Sequence, residues 1–320
     1  AIKLIKQAND HKDKILRYGS SHALDQLEEL LALKLEPKDI EKKGDLSGYE
    51  LFVAQNRLAL SPTIEGLDIS IEKWDSLSIK FIIEKKNTEF GVPPIFTLFN
   101  TLKAEYLTAR FLTYKALKEK QRDSGFYSDT LDYSNYGIDT SMLTLAQRSC
   151  IDILDKIAIA SSEYFNLDGK IRSINFYNRW YKKDEKKNII GWADQIKVEI
   201  DRGNYALIAL SELSDDLCEE GFLEIKKTLR NASTHRFVVL HEGGVGSVRK
   251  SKFIEHYDQT DFNNELITTL QVVRAALFYF VEMITISEYK KKDNTKSLTV
   301  PLIVPSHHWV RGEGEFNFDV

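Results

Sequence analysis

Apolar side chains recur at spacings of three and four along most of this chain, the period of a helix with one buried face. Leu98, Leu102, Ala109 and Leu112 share one stripe, and Ala146, Cys150, Ile153, Ile157, Ala160 and Tyr164 share another. These stripes predict long helices over about 95–121 and 140–166. A third helix is expected over 203–218 through Tyr205, Leu207, Ile208 and Leu213. A fourth is expected over 221–241 through Phe222, Ile225, Leu229 and Ala232, and a fifth over 262–290. Gly203 and Gly221 punctuate between helices. Prolines stand at 37, 62, 93, 94, 301 and 305, so 95–300 holds none of the residues that would break long helices.

The pattern therefore predicts an all-α fold in three parts. Residues 1–92 form an N-terminal helical extension packed on the bundle, with helices near 21–35 and 49–59 and a strand-like stretch near 77–83. Residues 93–292 form the helical bundle. Residues 293–320, apolar over 298–304, form a short extended C-terminal arm.

Composition narrows the class. With 42% hydrophobic residues the chain can bury a real core, while 16 Gly, 6 Pro and 2 Cys exclude collagen-like and disulfide-scaffold designs. Cys150 and Cys218 both sit in apolar periodic segments, which fits reduced thiols and a cytoplasmic setting. The richest apolar run, 272–286, is short for a bilayer and carries Arg274 and Glu282, so no membrane span is expected. The chain starts at Ala1 without an initiator Met or a leader, which reads as a fragment of something longer. A net charge of −4 argues against constitutive binding to a nucleic-acid backbone while leaving local basic patches open.

Candidate chemistry centres on Arg230 and His235. Composition alone leads one to expect about 0.85 Arg/His pairs with four to six intervening residues. The chain has four: Arg17/His22, Arg230/His235, Arg236/His241 and Arg249/His256. Context separates them. Arg230 follows an apolar stripe, and Asn231 lies four residues before His235, on the same helical face, where it can hydrogen-bond the ring and fix its tautomer. Arg17 and Arg249 lack that support; the plain alternative for His235 is a surface or interface histidine without catalysis. Lys227 and Arg236 flank the motif as candidate RNA-contacting cations.

Glu105 falls on the stripe of Leu98 and Leu102, where a carboxylate is expected to be buried and paired with Arg110, Lys156 or Arg230. The alternative is an ordinary structural ion pair. No four-ligand zinc spacing exists, so no metal is assigned. The cluster 243–246 reads as a flexible loop rather than a nucleotide-binding turn. The Lys182, Lys183, Lys186 and Lys187 run reads as a solvated loop that could touch a phosphate backbone.

At Arg230, Asn231, Thr234 and His235 the sequence resembles the HEPN superfamily, whose signature is Arg, a polar residue, then His after four to six positions. Five further segments carry the likeness across about 49–242. They are Tyr49 with Asn56-Arg57-Leu58-Ala59-Leu60-Ser61-Pro62; Leu102 through Arg110; Thr130-Leu131-Asp132-Tyr133; Leu154-Asp155-Lys156-Ile157-Ala158; and Asn175-Phe176-Tyr177-Asn178-Arg179-Trp180. Together they resemble the branch found behind tetratricopeptide repeats in bacterial defence proteins. The Trp often seen in the first helical segment is replaced here around 51–54, and the repeats expected upstream are missing from this chain.

The resemblance implies a HEPN-like bundle that pairs with a second copy and cuts RNA without a metal or other cofactor, in antiviral or toxin-type defence. Arg230 and His235 match as catalytic residues and Asn231 as the polar slot, with Glu105 and Arg110 as candidate support. The competing expectation is a non-catalytic HEPN-like module that dimerises or binds RNA or a nucleotide for a partner effector. A sensor or repeat region would lie upstream.

Overall fold

A computed structural model describes residues 9–10, 12, 21–32, 46, 48–61, 75–85, 91–167, 174–185, 188–217, 237–246, 248–249, 251–294 and 299–302. The chain forms two compact units, residues 1–44 with 66–68 and residues 45–65 with 69–320. In the first unit, helix α1 (Ser21–Ala32) carries Glu28, which accepts a 2.7 Å bond from Lys12.

The second unit runs α2 (Gly48–Gln55), β1 (Ile82–Lys85), α3 (Pro94–Lys118), β2 (Ser134–Asn135), α4 (Ile138–Phe165), β3 (Tyr181–Lys183) and β4 (Ile189–Trp192). It continues with α5 (Asp194–Asp201), α6 (Tyr205–Asp216), β5 (Phe237–His241), β6 (Ile254–Asp258), α7 (Gln259–Asn294) and β7 (Thr299–Leu302). The class is all-α, as the hydrophobic periodicity predicts, with short strands at its margins.

Local chemistry sets the helix ends. Helix α3 begins on Pro94, whose fixed φ suits a first helical position and whose missing N–H costs nothing there. Helix α4 stops at Asn166, left-handed at φ 50°, and the Leu167 N–H returns to the Ser162 carbonyl at 2.8 Å to close the last turn.

Helix α4 packs along α3 and α7, and α6 packs along α7. Between them Phe99, Tyr106, Ile153, Leu154, Ile157, Leu270, Leu277 and Phe280 are buried, with Cys150 also buried among them. Truncating one of these large side chains to Ala would cost about 2–5 kcal/mol. Over Gln259–Lys291, α7 is long and apolar enough to cross a bilayer, longer than the 272–286 run suggested. Its stripe of Leu266, Leu270, Val273, Leu277 and Ile284 is instead buried in the bundle. Val281 is buried too, and Phe278 lies 4.7 Å beneath the Arg274 guanidinium.

Polar side chains bolt strands and helices together. Glu288 of α7 is fully buried and accepts bonds from the Ile83 N–H (2.6 Å), the Tyr164 hydroxyl (2.5 Å) and Lys291 (2.6 Å). Burial and then the Glu288 charge push the Tyr164 phenol well above its ordinary range, so it stays a donor. Asn204, at the start of α6, donates to the Met283 carbonyl (2.8 Å) and the Ser287 hydroxyl (2.9 Å) of α7. Strand β1 pairs antiparallel with β7, Ile82 opposite Leu302 and Lys85 opposite Thr299.

The expected fourth helix is corrected at its C-terminal end. Residues 237–241 form strand β5, which pairs parallel with β6 and antiparallel with β2. The run Phe237, Val238, Val239 and Leu240 is aromatic and β-branched, and backbone partners on both sides reward an extended conformation there. The 243–246 cluster accordingly follows a strand, with Gly243 and Gly244 at φ 77° and 103°.

Candidate functional site

Arg230, Asn231 and His235, with Lys227 and Arg236, lie outside the described residues, within 218–236. Their surroundings in the chain are defined. The segment leaves α6 at Leu217, which is buried, and re-enters the described structure at Phe237, two residues after His235. Phe237 is tied by its N–H to the Phe253 carbonyl at 2.8 Å and faces Ile254 across the parallel pair. Strand β5 is therefore a fixed post for one end of the motif segment.

At the other end of β5 stands a histidine pair that the Arg/His spacing placed only as members of two of the other pairs. His241 is fully buried. Its Nδ1 lies 2.9 Å from the Asp132 carbonyl oxygen, and its Nε2 lies 2.8 Å from Nδ1 of His256 on β6. A carbonyl only accepts, so His241 carries its proton on Nδ1 and leaves Nε2 to accept from His256. His241 is thus a β-strand anchor, and Arg236/His241 is no helical motif.

The anchored loop is unusual. Leu131 and Tyr133 both have φ 58°, left-handed backbone that costs a bulky residue about 1–2 kcal/mol. Asp132 between them accepts from the Ser134 hydroxyl (2.6 Å), the Thr130 hydroxyl (2.6 Å) and the Ser134 N–H (3.2 Å). Those hydroxyl bonds hold its carboxyl down to about 2. The Glu242 N–H bonds the Tyr133 carbonyl at 2.9 Å. Leu131 and Tyr133 remain 86% and 79% exposed.

Glu105 is half-buried rather than largely buried, with 31% of its side chain exposed, and its partner is Lys156 at 2.7 Å. The buried face of α3 runs through Phe99, Leu102, Tyr106, Ala109 and Thr113, which puts Glu105 at its edge. Asn100, Glu105, Thr108 and Ser149 line part of an open groove of about 520 Å³. Half exposed, the Glu105–Lys156 pair is an ordinary surface ion pair worth about 0–1 kcal/mol.

Arg110 does not support Glu105. It is buried, and its guanidinium makes two parallel bonds to Asp75 (2.9 and 2.8 Å) while reaching the Leu58 carbonyl (2.9 Å) and the Tyr49 hydroxyl (2.8 Å). Asp75 also accepts from the Leu60 N–H at 2.8 Å, and Lys103 bonds the Asp75 and Leu77 carbonyls. The cluster fastens the 49–61 and 75–77 segments to α3. Lys182 of the lysine run pairs with Asp194 at 3.2 Å. Among the described residues no three His, Cys, Asp or Glu side chains converge to hold a metal ion.

The profile of the LA2681-like HEPN family matches residues 86–287, a span that begins after β1, contains all of 218–236 and ends within α7. No curated protein and no solved structure matches the chain.

Proposed function

This chain belongs to the LA2681-like HEPN family, and from that premise we propose that it is a metal-independent endoribonuclease acting as a homodimer in antiviral or toxin-type defence. The observation that carries the reading is the Arg230-Asn231-x3-His235 signature inside the family-matched span. Glu105 and Arg110 are held by Lys156 and Asp75, and the proposed chemistry rests on Arg230 and His235 alone.

Chemistry follows from the side chains. The ribose 2′-oxygen bonds to phosphorus, the bond from phosphorus to the 5′-oxygen breaks, and a 2′,3′-cyclic phosphate remains. One histidine takes the 2′ proton and another gives a proton to the leaving 5′-oxygen, roles that suit a group titrating near neutrality. The Arg230 guanidinium presents a planar fork to the phosphorane and neutralises its charge. Two histidines around one phosphate require two copies of the motif. On an ideal helix, residues five apart differ by about 140°, so one copy does not present Arg230 and His235 on a single face. A two-fold pair supplies both sets to one cleft.

Purified chain incubated with total cellular RNA should cut it equally well with and without excess EDTA and leave 2′,3′-cyclic phosphate ends. Light scattering on the same preparation should give a dimer mass. Activity lost in chelator and restored by magnesium or manganese would refute the mechanism. A stable dimer that leaves RNA intact under both conditions would favour the non-catalytic module.

A further inference from the structure

The segment between α3 and α4 exposes apolar area that the fold does not need. Phe126 is fully exposed, and Leu131, Tyr133 and Tyr127 are largely so. Exposed apolar clusters of this kind mark contact sites on folded proteins. Flexibility does not explain them. Asp123 receives the Gly125 and Ile138 N–H groups at 2.8 and 2.9 Å, Asp129 receives the Leu131 N–H at 2.8 Å, and Tyr127 stacks on Tyr136 at 6.1 Å. With the His241 bond to the Asp132 carbonyl, these contacts hold two bulky side chains outward on left-handed backbone. Strained conformations persist only where their surroundings over-determine them.

Charge says what could cover the surface. Residues 123–147 contain Asp123, Asp129, Asp132 and Asp139 and no Lys, Arg or His. Exposed Glu242 adds its charge beside Tyr133, to whose carbonyl its N–H is bonded. A phosphate backbone would be repelled here, although aromatic side chains alone would suit stacked bases. A Lys- or Arg-bearing polypeptide would gain both the apolar contact and the opposite charge.

We infer that the 123–139 loop is a protein-docking surface for a cationic, apolar polypeptide segment, with Leu131 and Tyr133 as its anchors. The inference uses nothing of the Arg230/His235 chemistry and holds whether or not the chain cuts RNA.

The test is a phage selection of random dodecapeptides on the full chain, counter-selected on a Leu131→Gly/Tyr133→Gly variant. Glycine takes φ 58° without strain, so this variant keeps the loop backbone and removes only the side chains; an unchanged or higher melting temperature verifies its fold. Enriched peptides should carry net positive charge beside aromatic or aliphatic residues. By fluorescence anisotropy they should bind the variant at least about ten-fold more weakly. An Asp129→Asn/Glu242→Gln variant should also bind more weakly and with less dependence on salt. Peptides without net positive charge, or equal binding to the parent and the Gly variant, would overturn the inference. So would a poly(U) oligonucleotide whose binding depends on Leu131 and Tyr133, or a dimer that dissociates in the Gly variant.

Discussion

Replacing Arg110 with Met should lower the free energy of unfolding by about 3–5 kcal/mol, the usual cost of removing one partner from a buried ion pair. The guanidinium satisfies Asp75 through two bonds and also reaches the Leu58 carbonyl and the Tyr49 hydroxyl. Its removal strands a carboxylate whose side chain is only 26% exposed. Asp75→Leu added to Arg110→Met should recover part of the loss, because an apolar pair leaves no unpaired charge. Urea unfolding of the three variants measures this, and a single-variant loss below about 1 kcal/mol would mean that the cluster is not the clasp it resembles.

The same cluster sets a direction with pH. Burial raises the Asp75 carboxyl, but the bonds and charge of Arg110, the Leu60 N–H and the Lys103 charge outweigh it and leave the folded value below 3.8. A depressed carboxylate stabilises the fold fully above its unfolded value and ceases to do so as pH falls through its folded value. The parent should therefore lose stability in acid below about pH 4, and the Arg110→Met/Asp75→Leu variant should lack that component of the loss.

His235→Ala should slow RNA cleavage by about 10²–10⁴-fold, the range that general acid–base catalysis contributes, without lowering the melting temperature. Arg230→Ala should cost about 10²–10³-fold by removing charge stabilisation from the phosphorane. Arg17→Ala, in another Arg/His pair, should cut at the parental rate. Single-turnover cleavage of an end-labelled RNA separates the three variants. Equal rates for His235→Ala and parent would leave the signature without a catalytic role.

The long amphipathic helices were legible because periodicity is a local property. Leu98 and Leu102 mark α3, Ile153 and Ile157 mark α4, and Leu270 and Leu277 mark α7, each stripe written within one stretch of chain. What periodicity cannot carry is the identity of a distant partner. Arg110 stood in the sequence as a neighbour for Glu105, yet its carboxylate is Asp75, 35 positions upstream in a stretch without pattern. Glu288 lay hidden in the same way, because its worth depends on Ile83 and Tyr164 arriving from elsewhere. Strand β5 was missed for a related reason. A short apolar run following a helical pattern reads as more helix until β2 and β6 supply backbone partners on both sides. At the candidate site, the Arg230/His235 motif was legible through resemblance, whereas the His241–His256 contact depends on two strands lying side by side.

The ribbon of β1 and β7 has a mechanical meaning. Strand β1 ends just before the family-matched span and β7 comes after it, and in their antiparallel register Ile82, where the chain arrives, lies opposite Leu302, where it departs. Tension set directly across Ile82 and Leu302 would fall on one end of the ribbon and part its hydrogen bonds singly, as a zip opens, instead of loading them together in shear; tension from further upstream meets the Arg110–Asp75 clasp first. The Ile83 link to Glu288 comes next in that sequence. Force that reaches the ribbon at these two ends would therefore peel it and arrive at a buried carboxylate of α7.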